Sequence, residues 1–225
     1  MAVSAQTDRQ SYKIAAALVV LVAVLYVGIP RNADLRAFEP KRMAERETRM
    51  WRDHYEKHYV RLFWELYASS RSEFRFSPLD SFRIALAAAH AARLFQPTTS
   101  REEASVALPP LEVYYSLLRK GAPAEFDPDK AAALELNWWQ ARREKVVPAD
   151  YGKTIAATAS MVYGAENPSI EESGALRAEA MAYRDARNGK MTDADWRAVS
   201  TQLAAAYGKL KEGVTRRQVS SAPRQ

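Results

Sequence analysis

The feature that most constrains this chain is an uninterrupted apolar run near its N-terminus. Residues 14–29 read IAAALVVLVAVLYVGI and contain no charged side chain. As a helix this run extends about 24 Å, whereas the hydrocarbon core of a bilayer is about 30 Å thick. Tyr12 and the stem of Lys13 can make up the difference at the membrane interface. The run therefore predicts a short transmembrane helix with little tilt.

A cleaved signal peptide is the alternative interpretation of the same run. Signal peptides carry an apolar region of about 7–15 residues that ends in a small-x-small cleavage site. The run is slightly longer than this, and the candidate cleavage positions are poor. Arg31 lies two positions before Ala33, and Ala37 follows a proline and several charged residues. We therefore expect an uncleaved, single-pass anchor.

Basic residues flank the predicted anchor. The chain has 33 Lys and Arg against 27 Asp and Glu, and the excess lies near its ends. A nucleic-acid binder would carry this charge on its folded face, so we expect no nucleic-acid partner. Anionic lipid headgroups are the expected contacts of five cations: Lys13, Arg31, Arg36, Lys41 and Arg42.

More basic residues follow the anchor than precede it. The positive-inside rule therefore favours a cytoplasmic domain attached to a bacterial inner membrane. Many N-terminal anchors export the domain that follows them, so a periplasmic domain remains the alternative.

The rest of the chain predicts one all-α domain of about seven helices. Glycine is scarce, at 8 residues, and apolar residues recur at helical spacing without sustained period-two alternation. The first helix is predicted to be long, from Pro40 to Ser69. Capping residues and prolines mark the later helix starts: Ser77-Pro78, Ser100, Asp127-Pro128, Pro148, Asn167-Pro168 and Thr192.

These patterns divide the chain into five predicted segments. They are a short polar N-terminus (1–13), the transmembrane anchor (14–29), a juxtamembrane linker (30–39), the helical domain (40–212) and a disordered basic tail (213–225). The absence of cysteine excludes disulfides, thiolate metal sites and cysteine nucleophiles.

Two histidines on the predicted first helix suggest a metal or haem site. His54 and His58 are four residues apart, so one helix would place both imidazoles on one face. Glu47 and Glu65 lie seven residues outside them on the same stripe. Imidazole and carboxylate together suit zinc, iron or copper. The alternative is a solvated, charged helix face. The His-Glu-x-x-His and Glu-x-x-His spacings of known metal sites are absent. We therefore expect no bound cofactor.

Aromatic residues form a second candidate site. Exposed Trp and Tyr are enriched where proteins meet partners and where they meet membrane interfaces. Large core residues with a polar tip at the edge are the alternative. Neighbouring tryptophans point about 100° apart on a helix, so one ring can enter the core while the other lies at the rim. The predicted partner interface comprises Tyr55, Tyr59, Trp64, Trp138 and Trp139.

No catalytic motif is present, and we do not expect an enzyme. The sequence lacks a Gly-rich phosphate loop and a Gly-x-Ser-x-Gly elbow. Residues 113–144 resemble bacterial helical proteins, a resemblance that implies no activity. Our first hypothesis is a membrane-anchored interaction module, an accessory, scaffold or assembly subunit of a larger complex. Its partners would be the lipid bilayer and other proteins of that complex. A metal- or haem-binding membrane protein using His54 and His58, and a peripheral domain that binds lipid surfaces, are the alternatives.

Overall fold

The computed structural model describes residues 2–29, 31–187 and 189–215. Over these ranges the chain is helical and has no strand, which confirms the predicted all-α class. The α-helices are α1 (Ala2–Gly28), α2 (Pro40–Tyr55), α3 (Tyr59–Ala68), α4 (Pro78–Phe95), α5 (Arg101–Ala104), α6 (Leu108–Gly121), α7 (Pro128–Arg143), α8 (Pro148–Tyr163), α9 (Pro168–Ala186) and α10 (Asp193–Thr215).

Helix starts lie where the sequence predicts them. Prolines occupy the first turn of α2, α4, α6, α7, α8 and α9, where a missing backbone N–H costs nothing. The side chains of Ser77, Asp127 and Asn167 accept hydrogen bonds from backbone N–H groups of the helices that follow. Pro109 and Pro110 start α6 rather than break a helix.

The predicted long first helix is in fact two helices. α2 ends at Tyr55, and Lys57 adopts a left-handed conformation with φ of 61°. The backbone N–H of Lys57 donates to the carbonyl of His54 (3.2 Å), and that of His58 donates to the carbonyl of Asp53 (2.7 Å). These two bonds form a Schellman motif, which ends α2 and redirects the chain into α3. Within the described ranges, nine α-helices therefore follow α1, where about seven were predicted.

The helices form a closed ring. Apart from the short α5, each helix from α2 to α9 packs against the next, and α10 packs back onto α2. The predicted linker runs along the inside of this ring. Leu35 and Phe38 are buried and line an interior cavity together with residues of α6 to α10. Residues 31–39 are therefore part of the packed domain.

The final helix extends beyond the predicted boundary at residue 212. α10 continues to Thr215, because Gly213 and Val214 pack against the start of α9. A side chain in place of Gly213 would collide with Ile170, and the Gly213 carbonyl accepts a hydrogen bond from Asn167 (3.0 Å). The rest of the predicted tail, 216–225, lies outside the described residues.

α1 stands apart from the ring. It contacts the domain through α4, and its large apolar side chains between Ile14 and Val27 are all exposed. Within the described part of the chain, no helix combines the length and the apolar character needed to cross a membrane.

Candidate functional site

The Schellman turn separates the two histidines of the predicted metal stripe. His54 lies half-buried in the last turn of α2, edge-on to the ring of Tyr55 (5.2 Å). Burial, together with the charges of Arg142 and Arg184, lowers the pKa of His54. His58 lies beyond the turn and is exposed.

The two glutamates of the stripe are engaged elsewhere. Glu47 is buried and accepts hydrogen bonds from Arg177 (2.5 Å) and from the hydroxyl of Tyr207 (2.5 Å). Glu65 accepts a hydrogen bond from Arg49 at 2.7 Å. The structure therefore does not bring the four predicted ligands together.

A different group of metal-ligating types lies at the turn itself. Ligand atoms of Asp53, Glu56 and His58 all lie within 4.8 Å of one another. The guanidinium of Arg61 is already bound there: its Nη2 lies 3.0 Å from Asp53 Oδ1 and contacts His58 Nδ1. An arginine in the middle of the group satisfies the carboxylates, so the geometry describes an ion-pair cluster rather than a metal centre.

Three of the five predicted interface aromatics point into the domain. Trp138 is buried and Trp139 is half-buried, and both indole N–H groups donate to Glu135 (2.8 and 2.9 Å). Tyr55 is half-buried, and its hydroxyl accepts a hydrogen bond from Arg142 (2.7 Å). The bond between Arg142 and Tyr55 connects α7 to α2, whereas the two indole bonds lie within α7.

The other two predicted interface residues lie on an exposed apolar surface. Tyr59 and Trp64 of α3 are 49% and 55% exposed. Large exposed apolar side chains of α3 and α4 continue this surface, which we call the α3/α4 face: Tyr59, Val60, Trp64, Phe82 and Leu86. Phe63 connects its two halves, since its ring packs edge-on against both Trp64 (5.8 Å) and Phe82 (5.5 Å).

Ion pairs hold α3 with this face outward. Glu65 binds Arg46 (3.3 Å) and Arg49 (2.7 Å) of α2, and Arg61 binds Asp53 (3.0 Å). The polar side of α3 is thereby fixed against α2, which leaves its apolar side toward solvent.

The α3/α4 face lies beside α1. α1 packs against α4, and Arg71, which follows α3, donates to the hydroxyl of Tyr26 in α1 (3.4 Å). The same arginine donates to the carbonyl of Phe76 (3.2 Å), just before α4 begins. A membrane that contained α1 would therefore lie close to this face.

The predicted headgroup cations have two kinds of environment. Lys13, Lys41 and Arg42 are exposed. Arg31 stacks on the ring of Tyr26 at 4.7 Å, near the end of α1. Arg36 instead turns into the domain and donates to a carbonyl of α10 at 3.2 Å.

The interior of the ring holds a polar cluster that sequence reasoning missed. Burial alone would lower the pKa of Arg177, but its contact with Glu47 raises that pKa above the usual value. The guanidinium also lies 5.5 Å from the ring of Trp138. Burial raises the pKa of Tyr207, and the negative charge of Glu47 adds to the rise.

Glu135 forms the second half of this cluster. Besides the two indoles, it accepts a hydrogen bond from the hydroxyl of Tyr115 (3.0 Å). Three donors for one carboxylate is a satisfied arrangement for a charge in the interior. The spacing Glu-x-x-Trp-Trp at 135–139 is the sequence signal that could have revealed it, because positions i+3 and i+4 face position i on a helix.

Both halves of the cluster line a cavity of about 210 Å³ within the ring. Its walls include Phe38, Tyr114, Tyr163 and Ser173 together with Arg177. Burial raises the pKa of Tyr114 and of Tyr163. This is the main concave site with convergent polar groups among the described residues.

Neither protein-family models, nor curated proteins, nor solved structures give a match to this chain. The α3/α4 face and the interior cavity are therefore interpreted from their own geometry. Together they define a ring of helices with one apolar outer surface beside an apolar N-terminal helix.

Proposed function

We propose that this chain is a membrane-anchored interaction module. α1 acts as a single-pass anchor, and the α3/α4 face receives another protein of the same membrane. This role is that of an accessory, scaffold or assembly subunit. The distribution of basic residues around 14–29 favours a domain on the cytoplasmic side of a bacterial inner membrane.

The anchor is supported by the exposure of residues 14–29. A Leu, Ile or Val side chain gains about 1.5–3 kcal/mol when it is transferred from water to an apolar environment. Leu18, Val19 and Leu21 are each more than half exposed and find no such environment in the domain. The hydrocarbon core of a bilayer provides such an apolar environment. The missing length, about 6 Å of hydrocarbon thickness, is covered by interfacial side chains such as Tyr12 and the stem of Lys13.

The observation that carries the proposal is that α3 buries none of its residues. Its sequence, YVRLFWELYA, contains eight apolar or aromatic residues out of ten. Helices of this composition normally place an apolar stripe against a core. Here Tyr59, Val60 and Trp64 face outward and join exposed apolar side chains of α4, while the other apolar residues of α3 are only half-buried. Contiguous exposed apolar surfaces of this kind mark interaction sites.

A protein partner fits this face better than a lipid surface. The two charged residues of α3, Arg61 and Glu65, cancel, and both are paired with side chains of α2. Helices that bind anionic membranes carry an excess of Lys and Arg on their polar side. Fixed aromatic anchors such as Trp64 are typical centres of protein interfaces.

Site-specific photo-crosslinking in intact membranes tests this proposal. A photoreactive phenylalanine analogue replaces Trp64 in the full chain. In the matched control it replaces Val147, which immediately precedes α8 and is similarly exposed. We expect one defined protein adduct from position 64, reproduced from position 86, and none from position 147.

Two results would overturn the proposal. Adducts to lipid alone at positions 64 and 86 would show that the face lies against the bilayer, as in a lipid-surface-binding domain. Equal protein labelling from positions 64 and 147 would show that the contacts at position 64 are nonspecific.

A further inference from the structure

The interior cavity carries an inference that does not depend on the anchor or on the α3/α4 face. Its volume of about 210 Å³ exceeds the roughly 150 Å³ of a protein cavity that holds benzene. Pockets that take drug-sized ligands are larger, at roughly 300–1,000 Å³. A single-ring molecule is the largest occupant that matches this space.

Most of the cavity wall is apolar. Phe38, Phe74, Leu118, Val162 and Leu210 come from five different parts of the chain and converge on it. Such walls favour the apolar body of a ligand through the hydrophobic effect.

The unused polar groups of the cavity wall can all donate hydrogen bonds. Tyr114 and Ser173 line the cavity, and neither hydroxyl forms a hydrogen bond within the part of the chain that the structure describes. Ser173 is only 7% exposed. A hydroxyl that faces the cavity can donate to an acceptor on an occupant.

Arg177 adds to this set of donors. Its Nε and Nη2 are bonded to Glu47, which leaves Nη1 as a further donor. Its side chain retains 27% of its surface, although it lies among residues of the cavity wall. The carboxylate acceptors, in contrast, are already used. Glu47 receives hydrogen bonds from Arg177 and a tyrosine. Glu135 receives them from a tyrosine and two tryptophans.

The charge of the cluster excludes an anion as the preferred occupant. Two carboxylates, Glu47 and Glu135, face one guanidinium, that of Arg177, so the ionised cluster has one net negative charge. A further negative charge beside these two carboxylates would be repelled. The acceptor must therefore belong to a neutral group such as a carbonyl.

From these observations we propose that the cavity binds a small, neutral, lipophilic molecule with one ring and a single hydrogen-bond acceptor. The ring packs between the apolar walls, and the acceptor oxygen receives hydrogen bonds from Tyr114 and Ser173. Arg177 holds the surrounding network in place through Glu47.

Isothermal titration of the full chain in lipid nanodiscs tests this proposal, with empty nanodiscs as the blank for partitioning. Three ligands of similar size are compared. Acetophenone carries a neutral carbonyl, isopropylbenzene has a similar size with a methyl group in place of the oxygen, and benzoate is anionic. We expect acetophenone to bind about tenfold more tightly than isopropylbenzene, the difference expected for two net hydrogen bonds, and benzoate to bind least.

Conservative variants identify the donors. Tyr114→Phe and Ser173→Ala should each weaken acetophenone binding by about threefold to fivefold and leave isopropylbenzene binding unchanged. Tyr67→Phe, outside the cavity wall, is the matched control and should change neither. Ala159→Phe, which fills part of the cavity, should weaken both ligands; melting temperatures of all variants confirm that the fold is retained.

Other outcomes overturn the proposal. If none of the three ligands binds to the folded protein, the cavity holds water only. Equal affinities for acetophenone and isopropylbenzene, unaffected by the two donor variants, would exclude recognition of an acceptor. Tightest binding of benzoate would exclude the neutral class. None of these results bears on membrane anchoring, which is measured separately.

Discussion

Two glutamates of the predicted metal stripe lie in different environments in this protein. Glu47 and Glu65 both fall on the helical face that the sequence suggested for metal binding. In the structure, Glu47 lies in the interior against Arg177, whereas Glu65 lies near the surface between two arginines of α2. Sequence spacing could place both on one face, but it could not show that the ring closes over Glu47.

This difference leads to a prediction at the level of single residues. Glu47→Ala leaves the half-buried guanidinium of Arg177 without its partner and should lower the free energy of unfolding by about 3 kcal/mol. Glu65→Ala breaks a more exposed pair and should cost about 1 kcal/mol or less. Denaturant unfolding of the two variants measures both values. Similar losses for both would contradict the burial assigned to Glu47.

The helices themselves show which local signals can be read from a sequence. Proline and capping residues predicted the starts of α4, α7, α8 and α9, because these residues act within a few positions of their own backbone. The ends of α2 and α7 were less clear, because Lys57 and Lys145 occupy the left-handed position that glycine usually marks. Without a glycine at position 57, the sequence predicted one long helix from Pro40 to Ser69.

The two left-handed lysines give a prediction about helix ends. Lys57→Gly and Lys145→Gly relieve an unfavourable positive φ, and each should stabilise the domain by about 0.5–1 kcal/mol. Lys153→Gly, in the middle of the exposed side of α8, should destabilise it by about 1 kcal/mol. Thermal unfolding distinguishes the signs. Destabilisation by glycine at 57 or 145 would mean that the lysine side chain contributes more than the backbone strain costs.

A further prediction concerns α1. In alkaline carbonate, the wild-type chain should stay with the membrane pellet. Leu21→Arg places a charge near the middle of the apolar run, at a cost of about 2.5–3.5 kcal/mol for a spanning helix, and should shift protein to the supernatant. Val20→Leu keeps the run apolar and should behave as the wild type. Release of the wild-type chain would show that α1 does not anchor it.

The ring and its interior arise at the level of the whole molecule. α10 packs onto α2, which lies about 150 residues earlier in the chain, and such contacts leave no local pattern to read. The same closure draws the predicted linker inside, brings Glu135 close to Arg177, and forms the cavity. The apolar α3 could be predicted to be a helix, but its outward orientation depends on which neighbours the ring provides.

The orientation of α3 is the basis of the proposed partner binding. Substituting Trp64→Glu together with Leu86→Glu places two charges on the α3/α4 face without touching the core, since both side chains are more than half exposed. Val113→Glu with Val147→Glu adds the same charges at similarly exposed positions elsewhere. Neither pair should change the melting temperature appreciably.

The most direct measurement is affinity purification of these three forms of the full chain from native membranes in mild detergent. The wild type and the Val113→Glu, Val147→Glu control should recover the same partner protein in fixed stoichiometry, and the Trp64→Glu, Leu86→Glu variant should lose it. A wild-type protein that elutes alone as a monomer, or a face variant that retains the partner, would contradict an interaction module built on the α3/α4 face.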